Sequence, residues 1–190
     1  MLILASASPR RKELLRNAQI KFTVQATNVP EVPEPGEQPD ACAKRLAREK
    51  ARAVASLRPE AFVLGADTIV VVHGQMLAKP EDKNDAERML RLLSGRTHQV
   101  ITGVCLMGKS GTDATFEDVR SESTLVTMER LTEEEFRFYA ESGEPLDKAG
   151  GYAIQGIASR WISRIEGDYS NVVGLPVPLV YRMLKQHAAI

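Results

Sequence analysis

Residues 2–15 read LILASASPRRKELL, and the way this stretch folds sets the class of the whole chain. Leu2–Leu4 is an apolar run with the character of a buried strand. Small residues follow, with hydroxyls at Ser6 and Ser8 and then Pro9. Ser8 fits an N-cap and Pro9 the first helical position, which predicts a helix over 9–17. A strand, a tight turn of small residues and a helix N-terminus also make an anion cradle, because free N–H groups point outward where the helix dipole is positive. Arg10 and Arg11 stand in that first turn, where each costs about 0.3 kcal/mol or more against the dipole. A bound phosphate reverses that cost; the bland alternative is a solvated pair on a surface helix.

The remaining chain continues the alternation of strands and helices. Phe22, Val24 and Ala26 alternate as a strand, and the Pro- and Glu-rich segment 28–39 (NVPEVPEPGEQP) reads as a surface loop or the lip of a site. A helix is expected over about 41–57. The segment 61–80, AFVLGADTIVVVHGQMLAKP, reads as two strands joined at His73-Gly74. NDAERMLRLLSG is a helix closed by Gly95, and two long strands follow around Ser110-Gly111. Thr132 and Glu135 form a capping box for a helix to about Ser142. The glycine-rich PLDKAGGYAIQG is expected to be an ordered loop, with a strand over 161–165, a GDYSNVVGLP loop and a last helix from about Pro178. Helices and hairpins interleaved in this way imply an α/β fold with a mixed central sheet flanked by helices. A chain of 190 residues suits one α/β domain, 1–190, or one domain folded as two lobes around a cleft.

Composition narrows the function. Lys plus Arg and Asp plus Glu number 25 each, so the formal charge is zero and the basic excess of a nucleic-acid binder is absent. Cys42 and Cys105 have no CxxC spacing and no neighbouring histidine, which reads as two reduced core thiols. The start MLILASAS has neither a basic n-region nor an apolar run of about 7–15 residues. No stretch approaches the roughly 20 apolar residues of a membrane span. A cytoplasmic protein with no nucleic-acid or membrane partner is expected.

Four places break local rules. The arginine pair is the first. Lys50 is the second: around the helix it falls in the middle of the apolar arc of Ala43, Leu46, Ala47, Val54 and Leu57, so it either snorkels or meets an anion. Asp67 is the third, a carboxylate inside the run VLGADTIVVV, costly to bury unless paired or metal-bound and suited to general-base work. Gly65 and Ala66 before it leave room for something to approach closely. The fourth is LDKAGGYAIQG, where Lys148, Tyr152 and Gln155 cluster around a glycine pair. His73, His98 and His187 read as bystanders. No P-loop, GxGxxG, GxSxG or HExxH pattern occurs.

Together these residues resemble the Maf family of nucleoside triphosphate pyrophosphatases, of the same broad fold group as the inosine triphosphate pyrophosphatases. The matching blocks are ASASPRR, RLAREKA, GADTIV, Lys79-Pro80, LSGRTHQVITGV, PLDKAGGYAIQG and VVGLP, spanning Leu2 to about Leu184. The resemblance implies that Ser6, Arg11, Lys50, Lys79 and Lys148 bind the substrate. Asp67 then activates water, and Glu31 and Asp67 hold a divalent cation, Mg²⁺ or Mn²⁺. Asn28 and Pro30 stand where the family usually carries acidic residues. Arg10, Thr68 and Gln155 match the positions that divide the family by base, and they resemble the branch acting on dTTP and UTP. The branch acting on 7-methyl-GTP tends to have Trp, Gln and Glu there. The resemblance further implies hydrolysis to monophosphate and pyrophosphate, a homodimer, and a link to arrest of cell division. A 7-methyl-GTP pyrophosphatase, a pyrophosphatase for damaged purine triphosphates and a non-catalytic nucleotide-sensing regulator remain the alternatives.

Overall fold

The computed structural model describes residues 1–109 and 114–190; the turn expected at Ser110-Gly111 lies outside them. The chain divides into two compact units, the first Met1–Thr68, Thr102–Glu122 and Gly174–Ile190, the second Ile69–Ile101 and Ser123–Val173.

The first unit is built on β1 (Leu2–Leu4), which pairs in parallel with β2 (Thr23–Val24) on one side and with the start of β3 (Phe62–Val72) on the other. The next strands are β5 (Thr97–Lys109) and β6 (Thr115–Met128), giving the order β2-β1-β3-β5-β6. Parallel neighbours need crossovers, supplied by α1 (Pro9–Asn17) and α2 (Pro39–Ala55). Alternation along the strands sends successive side chains to opposite faces. Ile3, Ala5, Val63, Cys105 and Met107 pack with Ala47, Ala51 and Val54 of α2. Leu2, Leu4, Leu64, Ala66, Val104 and Leu106 pack with Leu15 of α1 and with Leu179, Val180 and Met183 of α6 (Val177–Gln186). The sheet of this unit is therefore covered on both faces.

The helix α2 lies very close to the sheet. A Cβ on Gly65 would collide with the backbone of Ala47 and Ala51, and one on Gly103 with that of Ala43 and Lys44. The room in front of Asp67 is thus taken up by a helix. The same close approach carries Lys50, on the buried face of α2, toward the strand.

The second unit holds β4 (Gln75–Leu77), α3 (Lys83–Leu93), α4 (Glu133–Glu141), β7 (Ile162–Glu166) and α5 (Tyr169–Val173). β4 pairs antiparallel with the end of β3 and β7 with the end of β6. His73 at φ 50° and Gly74 at φ 75° make the two-residue turn of the β3–β4 hairpin, both central residues in the left-handed region. Thr132 and Glu135 make the expected capping box. Leu77, Leu90, Leu93, Val126, Phe136, Tyr139 and Trp161 form this unit's core. PLDKAGGYAIQG, expected as a loop, carries two short 3-10 helices, Glu144–Asp147 and Ala149–Gly151, and Tyr139 Oη donates to Glu144 and accepts from the Ala153 amide. Among the described residues no helix is long and apolar enough to cross a membrane.

His98 bears on stability. It is 2% exposed, its Nε2 lies 2.7 Å from Tyr152 Oη, and its Nδ1 has no hydrogen-bond partner among the described residues. Burial pushes the imidazole down to about 4 from the ordinary 6.5. Between those values the unfolded chain binds a proton that the folded one refuses, so stability is full above pH 6.5 and falls toward pH 4. The loss expected from this group is about 3 kcal/mol. Urea unfolding at stepped pH should show it in the wild type, and it should be absent in His98→Gln. Equal pH dependence in both proteins is the opposing result.

Candidate active site

The side chains singled out in the first unit converge at one place on β3. Asp67 and Thr68 are consecutive, so they project to opposite faces of the strand. On the α2 face, Lys50 Nζ donates to Asp67 Oδ1 at 2.5 Å and to Glu31 Oε1 at 2.6 Å. Lys50 and Asp67 are 5% and 6% exposed. Two acids thus share one buried ammonium, and the trio carries one net negative charge. Glu31 reaches Lys50 because the Pro-rich loop is tied down by Arg45, which bonds Glu37 at 2.8 Å and the Val32 carbonyl at 3.0 Å. That hydrogen bond pulls the Glu37 carboxyl down to about 2.

On the opposite face, Arg11 is buried within the first turn of α1. Its Nε donates to the Gly174 carbonyl at 2.7 Å, Nη1 to Ser6 Oγ at 3.3 Å and Nη2 to Thr68 Oγ1 at 3.1 Å. Desolvation lowers the guanidinium pKa, while the charges of Asp67 and Glu31 raise it. Ser6 Oγ also accepts from the Ser8 amide at 3.2 Å. Thr68 Oγ1 is 2.9 Å from Thr102 Oγ1 and 3.4 Å from the Gly174 carbonyl. Arg10 is half-buried on α1 beside this network.

Ser6, Arg11, Glu31, Lys50, Asp67 and Thr68 thus stand together in the first unit. Lys79, Lys148 and Gln155 belong to the second. Lys79 and Gln155 are exposed there, and Lys148 Nζ donates to the Glu144 carbonyl at 2.6 Å and to Asp147 at 2.5 Å. Thr102 and the Gly174 carbonyl join the hydrogen-bond network of Arg11 and Thr68, and sequence reasoning did not single them out. Thr102 had the same signal as Asp67, a polar residue within an apolar strand, while a backbone carbonyl such as that of Gly174 leaves no signal in residue type.

Two carboxylates aimed at one cationic point are hard oxygen donors suited to Mg²⁺ or Mn²⁺. Among the described residues no group of three or more His, Cys, Asp or Glu could hold a metal by itself. A cation held by this pair would need its remaining ligands from water or a bound molecule, as Mg²⁺ commonly does.

The profile of the Maf-like protein family matches residues 1–187. The chain belongs to the Maf family. Among its relatives, a protein of Koribacter versatilis is 56% identical over 185 residues, covering 97% of this chain and 93% of that one. One of Myxococcus xanthus is 49% identical over 186 residues, covering 98% and 92%. Both bear the name dTTP/UTP pyrophosphatase. Among solved structures, the Staphylococcus aureus Ham1 protein superposes with a TM-score of 0.52 at 16% identity, over 97% of this chain and 98% of that one. That likeness extends the shared fold of this Maf chain beyond detectable sequence kinship.

Proposed function

We propose that this Maf chain is a nucleoside triphosphate pyrophosphatase that hydrolyses dTTP and UTP to the monophosphate and pyrophosphate. The observation that carries the reading is the junction on β3, where buried Asp67 is paired with Lys50 on one face and its neighbour Thr68 accepts from Arg11 on the other. The names of relatives at 45–56% identity support the choice of substrates.

In this reading Lys50 donates to Asp67 Oδ1, and the Asp67 carboxylate takes the proton from a water molecule. The water oxygen bonds to the α-phosphorus, the bond from that phosphorus to the bridging oxygen breaks, and pyrophosphate leaves with the electron pair. Arg11, Ser6 and the N-terminus of α1 hold the charged tail. Catalysis of this kind is largely positioning and charge neutralisation. Glu31 and Asp67 would hold a divalent cation, Mg²⁺ or Mn²⁺, which supplies further neutralisation of the phosphates when bound. Gln155 offers a donor and an acceptor for the O4 and N3–H of uracil or thymine. Lys79 and Lys148 are further phosphate ligands in this reading, which also includes a homodimer working in the cytoplasm.

A nucleotide sensor without turnover would have little use for an unpaired acid beside phosphates. Asp67 is paired, so that distinction falls to turnover itself. Pyrophosphate release measured with dTTP, UTP, 7-methyl-GTP and ITP in the presence of Mg²⁺ should be fastest with dTTP and UTP. Faster release from 7-methyl-GTP than from UTP, or release from none, is the outcome against it.

A further inference from the structure

We infer that Thr102 is a positioning residue for Arg11: with the Gly174 carbonyl and through Thr68, it aligns the guanidinium for the phosphate tail. The inference rests on the reading that Arg11 binds that tail.

A guanidinium carries five N–H groups in a rigid plane. Arg11 commits three of them, from Nε to Gly174 O, from Nη1 to Ser6 and from Nη2 to Thr68. Among the described residues one N–H on each terminal nitrogen is left for a ligand, and phosphate oxygens accept from a guanidinium in pairs. The three anchors come from three segments of chain, so the orientation of the fork depends on how firmly each is held. Gly174 sits at φ +127°, where L side chains are rare, so its carbonyl is presented by a backbone shape that glycine allows. Thr68 is half-exposed at its own position, and its hydroxyl could turn. Its shortest contact is with Thr102 Oγ1 at 2.9 Å. Thr102 is fully buried, so water does not replace it. Gly103 beside it faces α2, and strand alternation places Thr102 on the Arg11 face.

The test compares Thr102→Val, Thr102→Ser and wild type by calorimetric binding of inorganic tripolyphosphate and of dTMP, and by steady-state turnover of dTTP. Thr102→Val is expected to weaken tripolyphosphate binding and raise KM for dTTP about five- to tenfold, with kcat and dTMP affinity changed by less than about twofold. Thr102→Ser should restore wild-type values. Thr68→Val should weaken tripolyphosphate binding to the same degree and Arg11→Ala more. Adding Thr102→Val to Thr68→Val should cost nothing more, because the two act in series. Should Thr102→Val fail to fold, the tripolyphosphate affinity of Thr68→Val, at a half-exposed site, carries the test. Wild-type tripolyphosphate affinity in these variants, or equal losses for tripolyphosphate and dTMP, overturns the inference. A wild type that binds tripolyphosphate and splits neither dTTP nor UTP would defeat the functional reading alone, and the binding measurements would still decide the role of Thr102.

Discussion

Asp67→Asn is expected to lower turnover of dTTP by about 10³-fold, the range seen when a general base is lost, while dTTP still binds. Asparagine keeps the shape of the side chain and has no basic oxygen to take the proton of water. Binding should persist because Arg11 keeps its three anchors, which come from Gly174, Ser6 and Thr68 and not from Asp67. Lys50 stays neutralised by Glu31 at 2.6 Å, so the change leaves no orphaned ammonium. Steady-state rates together with calorimetric binding of dTTP separate the two effects. Turnover near the wild-type rate would remove Asp67 from the role of base.

Lys50→Met has a different signature, a large loss of stability accompanied by loss of activity. Lys50 and Asp67 are almost entirely buried, and their contact takes both charges out of water. Removing one member of such a pair leaves the other uncompensated, at a cost of about 3–5 kcal/mol. Met fills the volume that the lysine stem occupied against Leu46 and Val54, so packing is not the cause. Asp67→Asn added to Lys50→Met should recover much of the stability, since no buried charge then lacks a partner, and activity should stay lost. Urea midpoints of the single and double variants measure this. A double variant no more stable than Lys50→Met would mean that the ion pair is not what the lysine supplies.

Much of the fold could be read from local chemistry. Ser8 and Pro9 start α1 where capping rules place it, and its side-chain cap is made to the Arg11 amide. His73-Gly74 is the β3–β4 turn because both residues take positive φ. β2 is shorter than its alternation promised: Thr23 and Val24 alone pair with β1, and both are exposed, so periodicity there had no buried face to enforce it. The helix α5 falls inside GDYSNVVGLP and has only five residues, too few for a period to appear. It forms because Asp168 accepts from the Ser170 amide and because Asn171, fully buried, donates to Val100 O and Thr124.

The site was legible as separate oddities and not as an arrangement. Lys50 and Asp67 each violated the apolar pattern around them, yet nothing local said that they neutralise one another. That pairing depends on α2 lying against β3 at Gly65. Arg11 is the sharper case. Its partners lie 5, 57 and 163 residues away in sequence, and one is a carbonyl that every residue possesses. Such a network belongs to the tertiary fold, and only assembled strands and helices reveal it.

The proposed chemistry is best tested by hydrolysis of dTTP by the wild-type protein with Mg²⁺ in ¹⁸O-enriched water, followed by mass analysis of both products. Attack of water on the α-phosphorus should place one ¹⁸O in dTMP and none in pyrophosphate. Label in pyrophosphate, or release of dTDP and labelled orthophosphate, would show that water attacks elsewhere and that the β3 junction does not perform this reaction.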